Sequence, residues 1–164
     1  MKRIALWAMA LVMLAQGLGL AQGLTRIEGD GYALQMDMAA LMQLEGEQGV
    51  LLFAPIGEGN AGPSRLMLTF DPAAVWDGHS EVSLVDMELS FAELGYDVLE
   101  QDAHDDFPEA CRAVSILGAR GELHRRVVRI ATPKGTLTAT IKCPLAAAHD
   151  FDAQMVEALR TLEV

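Results

Sequence analysis

Between Thr136 and Pro144 the sequence reads TLTATIKCP, and its unbroken alternation constrains the fold more than any other feature of the chain. Leu137, Ala139, Ile141 and Cys143 fall on one side of an extended backbone, and Thr138, Thr140 and Lys142 on the other. Successive strand side chains point to opposite faces, so this segment belongs to a sheet with one dry side. Pro144 lacks the N–H that a ladder needs and stops the strand. The chain then runs DFDAQMVEALRTLEV, with Phe151, Met155, Ala158, Leu159 and Leu162 at helical spacing and Asp150 or Asp152 as the cap. A one-sided helix directly after a one-sided strand has an evident place to go: its apolar stripe seals the dry face of the sheet.

The earlier elements follow from the same two periods. Tyr32 to Met38 alternates and reads as a half-buried strand. Gly49 to Pro55 is a continuous apolar run, a covered strand, and GEGNAGP over Gly57 to Pro63 is a hairpin-type loop. Leu66 to Phe70 returns as a third strand, closed by Asp71-Pro72. Ser80 to Leu94 supports two readings. Val85, Met87, Leu89 and Phe91 alternate with polar residues, as in a strand. The same stretch holds a broad helical stripe, a Ser80 cap and a Gly95 where a helix C-terminal glycine belongs, and its length with Gly95 favours helix. Tyr96 to Gln101 is a strand and Asp102 to Glu109 an acidic loop. Arg112 to Leu117, Leu123 to Thr132 and Thr136 to Cys143 are three returning strands, with turns at Gly118–Glu122 and Pro133-Lys134-Gly135. The expected fold is a single α+β domain over residues 22–164. Its antiparallel sheet has about six to seven strands packed by a central and a C-terminal helix. The alternative is an all-β sandwich with one C-terminal helix.

Residues 1–21 carry the three parts of a secretory signal peptide: Lys2-Arg3, an apolar run from Ile4 to Leu14, and small residues leading to Gly19-Leu20-Ala21. The apolar run is shorter than the ~20 residues a membrane span needs. The alternative is an uncleaved N-terminal anchor. The expected location is therefore outside the cytosol, secreted or periplasmic, with no stable membrane insertion once the leader is removed. The whole chain has a net charge of −11, and without the leader 10 basic residues face 23 acidic ones, a net of −13. Such a molecule repels nucleic acid and anionic lipid. The charge is also uneven: Gln22 to Ala110 holds 18 acidic and two basic residues, and Cys111 onward five acidic and eight basic.

Cys111 and Cys143 are the only cysteines. An oxidising compartment favours a disulfide between them, which would stabilise the fold by about 3 kcal/mol. A plain meander objects, because it places them roughly 15–20 Å apart when bonding needs Cα atoms within about 7 Å. Free buried thiols are the alternative. There is no C-x-x-C for a redox pair and no histidine or further cysteine at zinc-ligand spacing.

His79, His104, His124 and His149 are scattered and read as surface residues. Asp102, His104, Asp105 and Asp106 form the one cluster that suggests a divalent ion, yet they lack the glycine and terminal glutamate of a calcium loop. No G-x-S-x-G marks a nucleophile elbow, GEGNAG opens no helix after a strand, and nothing calls for a cofactor. The one basic concentration is His124-Arg125-Arg126-Val127-Val128-Arg129. On a strand, Arg125 and Arg129 share the wet face, where they pair with the acidic half or form an anchor for an acidic partner.

The order of strands, a helix ending at Gly95-Tyr96-Asp97-Val98-Leu99, a three-stranded return and a terminal FDAQMVEALRTLEV helix resembles the small PsbP-like and DcrB-like domains of exported proteins. Those families open with an extended strand leading to a proline–tryptophan phrase, and the matching MDMAALMQL has neither residue. The resemblance implies an antiparallel sheet backed by helices and a binding or assembly role. The expected function is thus an exported, non-catalytic accessory protein of the envelope. It would contact a protein partner or small anionic ligand through the sheet face, around His124, Arg125 and Arg129. The rival is a small metal-dependent or hydrolytic enzyme using the Asp102–Asp106 loop.

Overall fold

The computed structural model describes residues 23–75 and 84–164. The leader, Ser80 and His79 lie outside the described residues. The elements run β1 (Leu24–Gly29), β2 (Tyr32–Asp37), β3 (Leu41–Leu44), β4 (Val50–Pro55), β5 (Arg65–Asp71), α1 (Val85–Glu93), β6 (Asp97–His104), β7 (Arg112–Arg120), β8 (Leu123–Thr132), β9 (Gly135–Pro144) and α2 (Ala148–Arg160). β1 and β2 form a separate hairpin. The other seven strands make one antiparallel sheet in the order β3-β4-β5-β9-β8-β7-β6. The architecture is the expected α+β one, with a central and a C-terminal helix, and the sandwich alternative falls. Two strands escape the sequence reading: β1 is largely exposed and β3 has only four residues.

β9 lies at the centre of the sheet, between β5 and β8. Its alternation sorts the two faces as expected. Leu137, Ala139, Ile141 and Cys143 are buried, and α2 lays Phe151, Met155 and Leu159 over them. The β1–β2 hairpin closes this core from the side with Tyr32, Leu34 and Met36, and paired backbone hydrogen bonds join Ala33 to Glu163. The start of α2 corrects the capping expectation. The helix begins at Ala148 without a side-chain cap, so Asp150 sits in its first turn and Asp152 lies inside it, buried.

Among the described residues, the opposite face is covered only toward β6–β8, by α1. Met87 and Phe91 pack there on Val114, Ile116 and Val127. The helical reading of this ambiguous segment holds over Val85–Glu93, because the chain terminates it so definitely. Gly95 adopts φ 72°, its N–H reaches the Ala92 carbonyl, and the Tyr96 N–H reaches Phe91. This is the Schellman arrangement, and the Tyr96 ring completes it by packing 5.6 Å from the Phe91 ring. Gly118 on β7 makes room for the helix: a Cβ there would stand 2.7 Å from the Asp97 carbonyl oxygen and 2.8 Å from Phe91 Cδ1.

The cysteine expectation is corrected here. Cys111 immediately precedes the Arg112–Ala131 pair and Cys143 stands opposite His124, so the two are eight positions apart along β8. That offset alone is roughly 26 Å at strand rise. Both are free, buried thiols. Burial raises Cys111 above its ordinary pKa. Cys143 is pushed up to about 11, mainly by burial, with Asp152 and Glu58 adding to the shift.

Candidate functional site

The register across β5, β9 and β8 brings cations into line on the open face. Arg65 stands directly opposite Lys142, and Lys142 directly opposite Arg125. Arg129 follows on the same face of β8, opposite Thr138. No carboxylate among the described residues forms an ion pair with Lys142, Arg125 or Arg129. Arg125 is half-buried, with its guanidinium 5.3 Å from the centre of the Phe91 ring and 5.6 Å from that of Tyr96. Its Nε is buried without a hydrogen-bond partner. Arg120 covers the Tyr96 ring at 5.0 Å and donates to the Leu94 carbonyl at 2.8 Å. These contacts fix two guanidinium groups at one end of the row by cation–π attraction.

The cations feel each other. Burial lowers the pKa of Lys142, and the neighbouring charges of Arg125 and Arg120 lower it further. Burial likewise lowers Arg125, Arg120 adds to that shift, and Tyr96 opposes it. A row of like charges on one sheet face is a natural receptor for carboxylate or phosphate oxygens.

Sequence reasoning named Arg125 and Arg129 and placed them on this face. It missed Lys142, whose place opposite Arg125 follows from the Pro133-Lys134 turn, and Arg65, which only the nonlocal β5–β9 pairing brings here. His124 is a correction. It points to the other face, is buried, and its Nε2 lies 3.5 Å from Asp152 Oδ1 without hydrogen-bond geometry.

Beneath α2 lies a polar network that the sequence did not announce. Arg126 is partly buried, between β6, β7 and α2. Its Nε donates to both carboxylate oxygens of Asp152, at 3.2 and 2.9 Å, and its Nη1 donates to Ser115 Oγ at 3.3 Å. Glu100 Oε1 lies 3.5 Å from the same Nη1. Ser115 Oγ also shares a 2.8 Å hydrogen bond with His104 Nε2, while His104 Nδ1 lies 4.0 Å from Asp102 and 3.8 Å from Asp106. His104 and His124 are therefore not the surface residues expected; only His149, among the described histidines, is exposed. The acidic loop is tied down as well, with Arg160 Nη2 2.6 Å from Asp106 Oδ2. Ser115, His104 and the aspartates imitate a hydrolytic triad in outline, but Ser115 is only 1% exposed and already bound to Arg126. The described residues include no cluster of three or more His, Cys, Asp or Glu suited to a metal ion, so Asp102, His104, Asp105 and Asp106 do not assemble into one. No described helix is long and apolar enough to cross a membrane.

No protein-family profile matches the chain, and no curated protein matches it in sequence. In structure it is similar to cyanobacterial PsbP (CyanoP) from Synechocystis sp. PCC 6803, solved in solution, at a TM-score of 0.64 and 12% identity. The likeness covers 93% of this chain and 99% of that one. The fold is thus PsbP-like.

Proposed function

We propose, from a PsbP-like fold with a cationic row on its open face, that this chain is an exported, non-catalytic accessory protein of the cell envelope. It holds an acidic surface of a protein partner against β9 and β8, through Lys142, Arg125 and Arg129, beside Arg65 on β5. The observation that carries this reading is the direct opposition of Arg65, Lys142 and Arg125 across three adjacent strands, with the Lys142 pKa lowered first by burial and then by Arg125 and Arg120. Bringing like charges together costs free energy, and a bound anion would relieve that cost. Phe91 and Tyr96 hold Arg125 in position, so little side-chain freedom is lost on binding.

The test is affinity capture from native envelope with the full chain carrying Lys142→Glu and Arg129→Glu. Both side chains lie on the wet face, so the melting temperature should stay put while an associated acidic protein is lost. Unchanged capture would remove the reading. Titration with inorganic phosphate shows whether the row also takes small anions. N-terminal sequencing of protein from the envelope fraction should find cleavage after Ala21. Unprocessed chain confined to the cytosol would contradict the location. Calcium or zinc addition tests the enzymatic rival, which requires a rise in melting temperature.

A further inference from the structure

We propose that the free edge of β6 is a second docking surface. Its occupant is an extended segment of a partner protein that alternates basic and apolar residues. Among the described residues β6 is the last strand of the sheet and bonds only to β7. Such an edge leaves a row of backbone N–H and C=O groups unpaired. Folded proteins blunt exposed edges with lysine, proline or a covering element. β6 is eight residues long, contains neither lysine nor proline, and is exposed along almost its whole length.

The edge is apolar where it is most accessible. A bulge between Val98 and Glu100 leaves Leu99 61% exposed and Val98 40% exposed. On the adjoining helix Leu89 is 59% exposed, on the side away from buried Met87 and Phe91. A hydrogen bond from Gln101 to Glu88 ties helix and strand together. From Val85 to Asp106 there are eight acidic residues and no lysine or arginine. Arg126 lies against Glu100, Arg160 against Asp106 and Arg120 against the Leu94 carbonyl, while Asp86, Glu88, Glu93 and Asp97 make no ion pair among the described residues.

Charge selects the occupant. A second copy of the edge would set acid against acid, and like charges opposite one another destabilise a ladder. A basic, alternating segment instead gains backbone hydrogen bonds, apolar contact with Leu99 and Val98, and attraction from the acidic rim.

The probe is a short synthetic peptide of alternating lysine and valine, titrated against the full chain. Glu–Val and Lys–Gly peptides of the same length serve as comparisons. The Lys–Val peptide should bind and slow hydrogen exchange of the β6 amides, and the two comparison peptides should do neither. Leu99→Asp should weaken binding about tenfold without lowering the melting temperature, and Leu89→Asp, on the far side of the helix, should leave binding unchanged. Glu93→Lys with Asp97→Lys should remove the preference for lysine over glutamate, and this pair carries the test if a leucine variant unfolds. The proposal is overturned by equal binding of Lys–Gly, by protection elsewhere than β6, or by indifference to all these substitutions. It is also overturned if β6 becomes protected with rising protein concentration alone and sedimentation finds a dimer, since the occupant is then a second copy.

Discussion

Asp152 is a carboxylate that α2 carries onto the dry side of the sheet, where Arg126 meets it with two hydrogen bonds. Both side chains are nearly withdrawn from water, at 9% and 12% exposure. Removing one partner strands the other. Asp152→Ala should lower stability by about 3–5 kcal/mol in denaturant unfolding, whereas Asp152→Leu combined with Arg126→Met should cost less than that single change. The thiols give a prediction with a definite sign. The native state holds Cys143 at about 11 against an ordinary 9.0, so it binds that proton more tightly than the unfolded chain does. The resulting stability is complete below pH 9 and is lost as pH rises toward 11. Denaturation midpoints should fall over that interval, and the fall should shrink in Cys143→Ala. Part of this was legible: strand alternation sets Arg126 on the same side as Val128 and Ile130, and free buried thiols are one reading of the cysteines. The carboxylate that meets Arg126 comes from a helix 26 residues away and leaves no local signal.

Among the elements, those with a clean period were legible and those set by one local contact were not. β9 and α2 could be read directly, since each buries one face and its alternation or spacing says which. α1 was ambiguous because its apolar residues fit both periods, and Gly95 resolves it by ending the helix with φ 72°. β1 and β3 carry too few buried side chains to leave a pattern. The close packing of α1 on β7 makes Gly118 a sensitive point. Gly118→Ala would drive a methyl group into the Asp97 carbonyl and the Phe91 ring, and should lower stability by about 1–3 kcal/mol in thermal or chemical melts. The cationic row belongs to this scale as well. Arg125 and Arg129 share a face by strand alternation alone, but Arg65 joins them only through pairing between β5 and β9.

Across the whole molecule the sheet is two three-stranded ribbons joined by a seventh strand. β3, β4 and β5 form the first, β6, β7 and β8 the second, and β9 lies between them, hydrogen-bonded to β5 and β8. The pairing of Arg65 with Lys142 closes a long loop, so folding should take milliseconds to seconds rather than microseconds in stopped-flow refolding. The antiparallel sheet and two helices could be anticipated from hydrophobic pattern, but the central position of the final strand could not, because adjacency in a sheet is not written in any one segment. That position governs how the polypeptide behaves while it is being made. Until Gly135–Pro144 has cleared the ribosome, the nascent chain has no keystone, only two ribbons with raw inner borders. Closure of the sheet therefore waits for that strand, and the two halves lack their shared seam until it is made.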